Sequence, residues 1–425
     1  MREFFRVYGL ILLLVAVGFY IAVQYMAPLP PRSMKLATGV TGGAYADIGE
    51  RYRKILADEG ITVDLVPTEG TVANLALLMD PKSEVDAALI QGGVGSADLQ
   101  PDLRDLGSLF FEPVWVFTRE GSRARRLTDL ADRRIAIGQP GSGTQIVARQ
   151  LLAASGVGPS DAELVEVGGD QAAAQLETGD LDAAFFVSAR ISPLLAKLAA
   201  DHDLVLMDFV RAPAFRYALP FLSEVTLPAG TIDLPHDLPR NDITMVAPAA
   251  QLVIHKDLHP ALVHLLLEAI AKVHRPRQDF APEGRFPSAT FVDYPLDSDA
   301  ARFLEKGPSF FYRYLPFWAA VWADRLLILL VPILTLMIPL FRLGPPLYRW
   351  QIQRKLFKRY RQLRRIEMAA LAEGADHALL SGELDKLQQE LSGLKIPLAY
   401  AEDLYHLRLH IHWVRSQLQG RKPAL

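Results

Sequence analysis

The stretch Gly138-Gln139-Pro140-Gly141-Ser142-Gly143-Thr144 decides how this chain is read. A short apolar strand pattern, Arg134-Ile135-Ala136-Ile137, precedes it, and a helical pattern from Gln145 to about Ser155 follows. Three glycines allow a sharp turn and keep side chains from standing between the backbone and a ligand. The helix beyond opens with unpaired N–H groups at the positive end of its dipole, and Ser142 and Thr144 add donors. Such a turn predicts a seat for an anion, most simply a carboxylate.

The same arrangement occurs earlier in the chain. Lys35-Leu36-Ala37-Thr38 reads as a strand, Gly39-Val40-Thr41-Gly42-Gly43 as a glycine-rich turn, and Ala44 to Leu56 as a helix. Each turn and helix leads to a second strand (Ile61–Val66 and Glu163–Val167) and a second helix (Thr71–Met79 and Gln171–Thr178). Each series closes on a strand opened by Asp-Ala, Asp86–Ile90 and Asp182–Phe186. The sequence therefore predicts an α/β protein of two successive βαβαβ units. Each has its glycine turn at the carboxyl end of the first strand, where open α/β sheets bind ligands.

A chain of 425 residues, half of them hydrophobic, holds two or three folding units with ample cores. The net charge is −3, but nine basic residues between Arg342 and Arg365 form a block uninterrupted by acids. The rest is mildly acidic, which argues against a nucleic-acid partner. There is no cysteine, so disulfides, thiol nucleophiles and thiolate metal sites are excluded.

Arg2 and Arg6 precede an apolar run from Val7 to about Val23, a pattern shared by signal peptides and membrane helices. No small-x-small cleavage pattern follows, and the run exceeds a typical signal core, so an uncleaved anchor is expected. A second apolar run, Leu326–Phe341, reaches spanning length when Trp318–Trp322 is added. Trp318, Trp322, Tyr348 and Trp350 fit aromatic belts, and the basic residues outside both runs fall on the cytoplasmic side by the positive-inside rule. The expectation is an inner-membrane protein with its body outside and both termini cytoplasmic.

Between the runs, Leu109–Phe117 is expected to cross to the second lobe with Glu112-Pro113 inside it, and Ile243–Ala247 to return to the first sheet. His259-Pro260 opens a helix burying Leu262, Leu265, Leu266, Ala269, Ile270 and Val273, and 275–307 wraps the surface. Leu347–Ala370 reads as one basic helix. Two leucine-striped helices follow, marked by Leu384, Leu387, Leu391 and Leu394, then by Leu404, Leu407, Ile411, Val414 and Leu418. They suit a hairpin or an oligomer contact, with the basic face on anionic lipid. The predicted divisions are 1–27 (anchor), 34–112 (lobe 1), 113–216 (lobe 2), 217–310 (return and wrap), 318–343 (second span) and 347–425 (helical tail).

Catalytic motifs fare poorly. Gly138–Thr144 has the glycine spacing of a phosphate loop, but Thr144-Gln145 stands where Lys-Ser/Thr is required. A nucleophile elbow needs glycine two before the serine, and Pro140 is there instead. His255, His259, His264 and His274 fit no metal spacing, and His406 and His410, four apart on an expected helix, suit either a shared metal or, more simply, a solvated helix face. Asp86 and Asp182 read as turn residues, and Glu112, on the crossing strand, stays open between a structural and a cleft role. No catalytic set, cofactor or metal is expected.

Taken in order, certain residues resemble a known family. They are Leu36-Ala37-Thr38-Gly39, Thr41-Gly42-Gly43-Ala44-Tyr45, Gly70-Thr71-Val72-Ala73-Asn74-Leu75, Gln91, Gly141-Ser142-Gly143-Thr144 and Gly179-Asp180-Leu181-Asp182-Ala183. Together they look like the TAXI solute receptors of tripartite ATP-independent periplasmic (TRAP) transporters, over roughly Lys35 to Val273. The resemblance implies a type II-like periplasmic-binding-protein fold that closes on an organic-acid or amino-acid ligand and delivers it to TRAP-type permease subunits. It also implies ligand contacts from Thr38, Thr41, Gly42, Gly43, Tyr45, Gly70, Thr71, Asn74 and Gln91 in the first lobe. Gly141, Ser142, Gly143 and Thr144 would face them from the second. Two features depart from the family. Gln91-Gly92-Gly93 replaces the common Gln-Ser-Asp, which removes an acid that an amino-acid ligand would use, and the chain continues past Arg313–Trp318 into a second span and a tail. The tail raises an alternative function, a transmembrane sensor coupling solute binding to a cytoplasmic partner.

Overall fold

The repeat seen in the sequence folds twice. In the first lobe β1 (Ser33–Ala37), α1 (Ala44–Asp58), β2 (Thr62–Val66), α2 (Thr71–Met79) and β3 (Ala87–Gln91) form a βαβαβ unit. Here β1 pairs in parallel with both β2 and β3. The chain then runs through β4 (Leu103–Phe111) and β5 (Val114–Arg119) into the second unit. That unit consists of β6 (Arg134–Ala136), α3 (Gly143–Ala154), β7 (Glu163–Val165), α4 (Gly169–Thr178), β8 (Ala183–Val187), α5 (Pro193–Ala200) and β9 (Leu204–Leu206). After α6 (Ala212–Ala218), β10 (Ser223–Leu227) and β11 (Ile243–Ala247) pair with each other, and β12 (Ala249–His255) re-enters the first sheet. The sheets run β2-β1-β3-β12-β4 and β7-β6-β8-β5-β9. In each, the antiparallel fourth strand, β12 or β5, arrives directly from the other lobe. The result is the two-sheet, periplasmic-binding-protein-like α/β architecture.

The computed structural model describes residues 13, 16–20, 24, 28–122, 124–372, 375–393 and 401–420. The expected first anchor, 1–27, lies almost wholly outside them, as does Leu394.

Two connections join the lobes side by side. Glu112-Pro113 separates β4 from β5 and Pro248 separates β11 from β12, and Glu112 N–H donates to the Pro248 carbonyl at 2.9 Å. The expected crossing strand Leu109–Phe117 is thus two strands, because Pro113 lacks the N–H that would continue the ladder. The expected return strand Ile243–Ala247 stays on the second lobe, and the strand that enters the first sheet is β12. Local pattern could not separate these two apolar strands, since neither has an exposed residue.

Lobe 1 has its core between the sheet and α1 and α7 (Pro260–His274), with Leu36, Tyr52, Leu89, Leu252 and Leu266 fully buried. The wrapping segment closes the edge at β4: Ser108 bridges Ser288 and Asp105 bridges Leu296 before α8 (Ser298–Lys306). This explains why β4 is buried along nearly its whole length. A short α9 (Phe310–Tyr314) leads into α10 (Phe317–Ala370). Phe317 and Val321 enter the lobe 1 core, and Trp318 donates its indole N–H to the Glu59 carbonyl at 3.0 Å.

A separate helical unit begins at Ala323. There Ile352, Leu356, Leu363 and Ile366 of α10 pack against Leu384, Leu387 and Leu391 of α11 (His377–Ser392) and Leu407, Ile411 and Val414 of α12 (Ala401–Leu418). The leucine stripes are therefore covered within the chain by the basic helix itself. Arg359 pairs with Glu390 at 3.1 Å, and Arg415 with Asp385, across the same helices.

The membrane expectations are corrected. Among the described residues, no helix is long and apolar enough to cross a membrane. The second apolar run is not an isolated span between belts. It lies inside one 54-residue helix that carries Asp324-Arg325 before the run, Arg342 after it and the basic stretch beyond. The inner-membrane location, with an outer body and cytoplasmic termini, is overturned by that finding, and the two flanking transmembrane helices are not supported among the described residues. One helix, Phe317–Ala370, runs through 318–343 into 347–425.

Candidate functional site: an interlobe cavity ringed by helix N-termini

The Gly138–Ser142 turn follows the carboxyl end of β6 and caps the amino-terminal end of α3. Gly138 and Gly141 take φ of +100° and +77°, conformations open to glycine and strained for other residues. Ser142 is the N-cap of α3. Its hydroxyl accepts from Gln145 N–H at 3.2 Å and donates to the Gln139 carbonyl at 2.6 Å. Helix geometry leaves the N–H groups of Gly143 and Thr144 without an intrahelical acceptor.

Beside this turn lies a cavity of about 370 Å³. Val40, from the first glycine turn, closes one side, and Gly138, Ser142, Thr144, Ser188 and Ser192 line others. Gly168-Gly169 and Ser192-Leu194-Leu195 also line it, so the first turns of α3, α4 and α5 all border one space. Ser192, like Ser142, is an N-cap, accepting from Leu195 N–H at 3.2 Å. Every lining side chain is uncharged, and Phe186, Val187 and Leu194 supply an apolar wall. The partial positive charge of three helix ends therefore acts on a cavity that no carboxylate lines, with Asp170 in the first turn of α4 outside the lining.

The two lobes meet around Gly143. Gln91, at the end of β3, donates its amide N–H to the Gly143 carbonyl at 3.0 Å, and Gln150 donates to the Gly93 carbonyl at 3.0 Å. A Cβ on Gly143 would stand 2.5 Å from Gln91 Oε1, and one on Gly70 would stand 3.8 Å from the Gly141 carbonyl oxygen. The start of α2 and the start of α3 thus face each other across the interface.

The residues that the family resemblance implies fall into five groups. Gly70 and Gln91 meet Gly141, Ser142 and Gly143 at this contact, with Thr144 on the cavity wall. Thr71 is buried, its hydroxyl accepting from Gln91 N–H at 3.0 Å, while Tyr45 donates to Glu112 Oε2 at 2.9 Å. Asn74 lies behind the contact, bonding the Leu89 carbonyl and Thr68 at 2.6 Å each, so its amide is occupied within its own lobe. Thr38 and Gly43 form the turn rather than the cavity: Thr38 is 1% exposed and Gly43 N–H donates to the Val40 carbonyl at 2.9 Å. Thr41 and Gly42 border a different cavity of about 470 Å³ beside Asp47, Glu50 and Arg53.

Glu112 is resolved by its surroundings. It is buried at the hinge, and burial pushes its carboxyl up to about 8, against which the Tyr45 hydrogen bond acts in the opposite direction. Burial likewise raises the Tyr45 phenol, and the neighbouring Glu112 adds to that. Tyr45 packs edge-on to Phe110, whose other face stacks on His274. His274 meets Tyr52 OH at 2.7 Å, and burial holds its ring down to about 3. Two buried polar pairs, Tyr45–Glu112 and Tyr52–His274, therefore flank the Phe110 ring beside the hinge.

Sequence reading missed the contribution of Gly168-Gly169, Ser188 and Ser192. The signal was present: the first follows β7 and the others follow β8, the carboxyl ends where open sheets bind ligands. At Gly93 the N–H is taken by Asp293 of the wrapping segment at 2.8 Å, and a Cβ would strike the Phe221 ring at 2.4 Å.

Among solved structures, the chain resembles a protein of Bordetella bronchiseptica RB50 at 19% identity (58% of this chain, 72% of that one, TM-score 0.39). It also resembles the periplasmic aliphatic sulphonate binding protein SsuA of Escherichia coli at 14% identity (57% and 72%, TM-score 0.38). A third is a TctC solute binding protein from Polaromonas at 17% identity (60% and 93%, TM-score 0.37). A family profile matches residues 36–276, more than half of the sequence and nearly all of the βαβαβ repeat. On that match the chain belongs to the NMT1-like family.

Proposed function

We propose that this chain is a solute receptor of the TAXI type that serves a TRAP-type permease, a binding protein and not an enzyme. Its ligand is a small carboxylate seated against the first turns of α3, α4 and α5 and covered by lobe 1. The observation that carries this reading is the convergence of three helix N-termini on one 370 Å³ cavity with no charged lining side chain. Charge-assisted hydrogen bonds to a carboxylate are worth about 1.5–3 kcal/mol each, and each helix end contributes roughly 0.3–1 kcal/mol more. The Gly92-Gly93 substitution and the apolar wall favour an organic acid without an ammonium group. Ser142 is engaged as a helix cap, with its proton directed to a carbonyl, which speaks against a nucleophile.

The test is a thermal-shift screen of the purified chain with organic acids, amino acids and alkyl sulfonates. A ligand at a hundred times its Kd adds about 2.7 kcal/mol, which in a body of this size raises Tm by roughly 5–10 °C. Stabilisation by organic acids supports the reading, stabilisation by amino acids alone or sulfonates alone replaces the ligand class, and no shift with any anion overturns it.

A further inference from the structure

A second cavity, of about 600 Å³, is lined by α1, α7 and lobe 2 residues Ala189 and Arg190, and shares no lining residue with the first. Arg51 and Lys54 of α1, Lys272 of α7, Arg277 beyond it and Arg190 of lobe 2 surround its mouth. Asp47 and Asp279 are the acids among its lining residues, leaving an excess of positive charge. Among the described residues none of the five cations is held in an ion pair. The floor is apolar: Ile48 and Ile55 of α1, Val273, and Phe110. Arg51 lies close enough to His274, at the edge of that floor, for its charge to depress the imidazole further. Gln278 also lines the space, and its Oε1 is buried without a partner.

Unpaired cations on a shared rim repel one another, and they do so at a cavity of the size that encloses small molecules. We infer that this cavity is a second anion site, which binds an acid with an aromatic or apolar body and at least two negative charges. The body rests on Ile48, Ile55 and Phe110 while the anionic groups bridge the arginines and lysines. Because Arg190 and Ala189 come from lobe 2 and the other walls from lobe 1, the site is complete only when the lobes are closed. An occupant therefore favours closure, and closure favours the occupant by the same factor. The inference does not depend on the ligand of the first cavity.

The experiment is calorimetric titration of the purified full chain with pyrene-1,3,6,8-tetrasulfonate, an aromatic tetra-anion, at low ionic strength. One-to-one binding is expected, weakening as salt screens the rim. Arg51→Ala/Arg277→Ala is expected to weaken it at least 10-fold, as is Lys272→Glu, whereas Arg125→Ala/Arg126→Ala, which lies in lobe 2 outside this cavity's lining, changes it less than 2-fold. Circular dichroism checks that each variant retains its fold, and the charge reversal serves if the double variant does not. Absence of binding, or equal weakening by the Arg125/Arg126 pair, overturns the inference.

Discussion

Replacing Glu112 with glutamine converts a titratable hinge into a fixed one. Buried Glu112 is held protonated up to about pH 8, whereas in the unfolded chain it ionises near 4.5. Between those values the folded state binds one proton more than the unfolded state, so stability falls as pH rises through that window. From pH 5 to pH 7.5 the loss works out at about 3 kcal/mol, taken from the two pKa values and the linkage slope of about 1.4 kcal/mol per unit. Glutamine has the shape of the protonated acid and can still accept from Tyr45, and it has no proton to lose. Urea unfolding of wild type and Glu112→Gln at several pH values, followed by tryptophan fluorescence, isolates the effect because every other titration cancels in the difference. The variant should be close to wild type at pH 5 and more stable by about 3 kcal/mol at pH 7.5. A difference that does not change with pH would refute the hinge assignment.

Three further outcomes follow from the geometry. His274 is neutral when folded down to about pH 3 and protonates near 6.5 when unfolded, so its contribution is lost as pH falls from 6.5 towards 3. His274→Phe should flatten the acid limb of an unfolding profile and cost about 1 kcal/mol at pH 7 for the lost Tyr52 hydrogen bond. Asn74→Ala should lower stability by about 2–3 kcal/mol, seen as a lower urea midpoint, while leaving the affinity of a bound acid unchanged. Gly143→Ala should expel the Gln91 amide from the interface and favour the open form; solution scattering would report a larger radius of gyration at an unchanged helix content.

The lobes were legible because each βαβαβ unit writes its period, its glycine turn and its Asp-Ala strand into contiguous residues. The helix Thr71–Met79 falls where its pattern puts it. What was illegible depended on distant residues. Nothing local distinguishes Ile243–Ala247 from Ala249–His255 as the strand that returns, since pairing with β10 or β3 decides it. The apolar run Leu326–Phe341 read as a separate span, and the continuity of α10 through the basic block is a property of the whole helix. The site was half visible. Gly141–Thr144 announced a helix end, but the two other helix ends that share its cavity lie 25 residues or more along the chain and meet it only through the parallel sheet. Asn74 illustrates the opposite error, where a polar residue in a motif is occupied by its own backbone.

The most direct test of the central claim compares one ligand in two charge states. Native mass spectrometry of the purified chain identifies the co-purified acid, and calorimetry then measures that acid and its neutral amide at pH 7. If three helix ends hold a carboxylate, the acid should bind at least about 100-fold more tightly than the amide, the loss of two charge-assisted hydrogen bonds. Equal affinities would contradict the account.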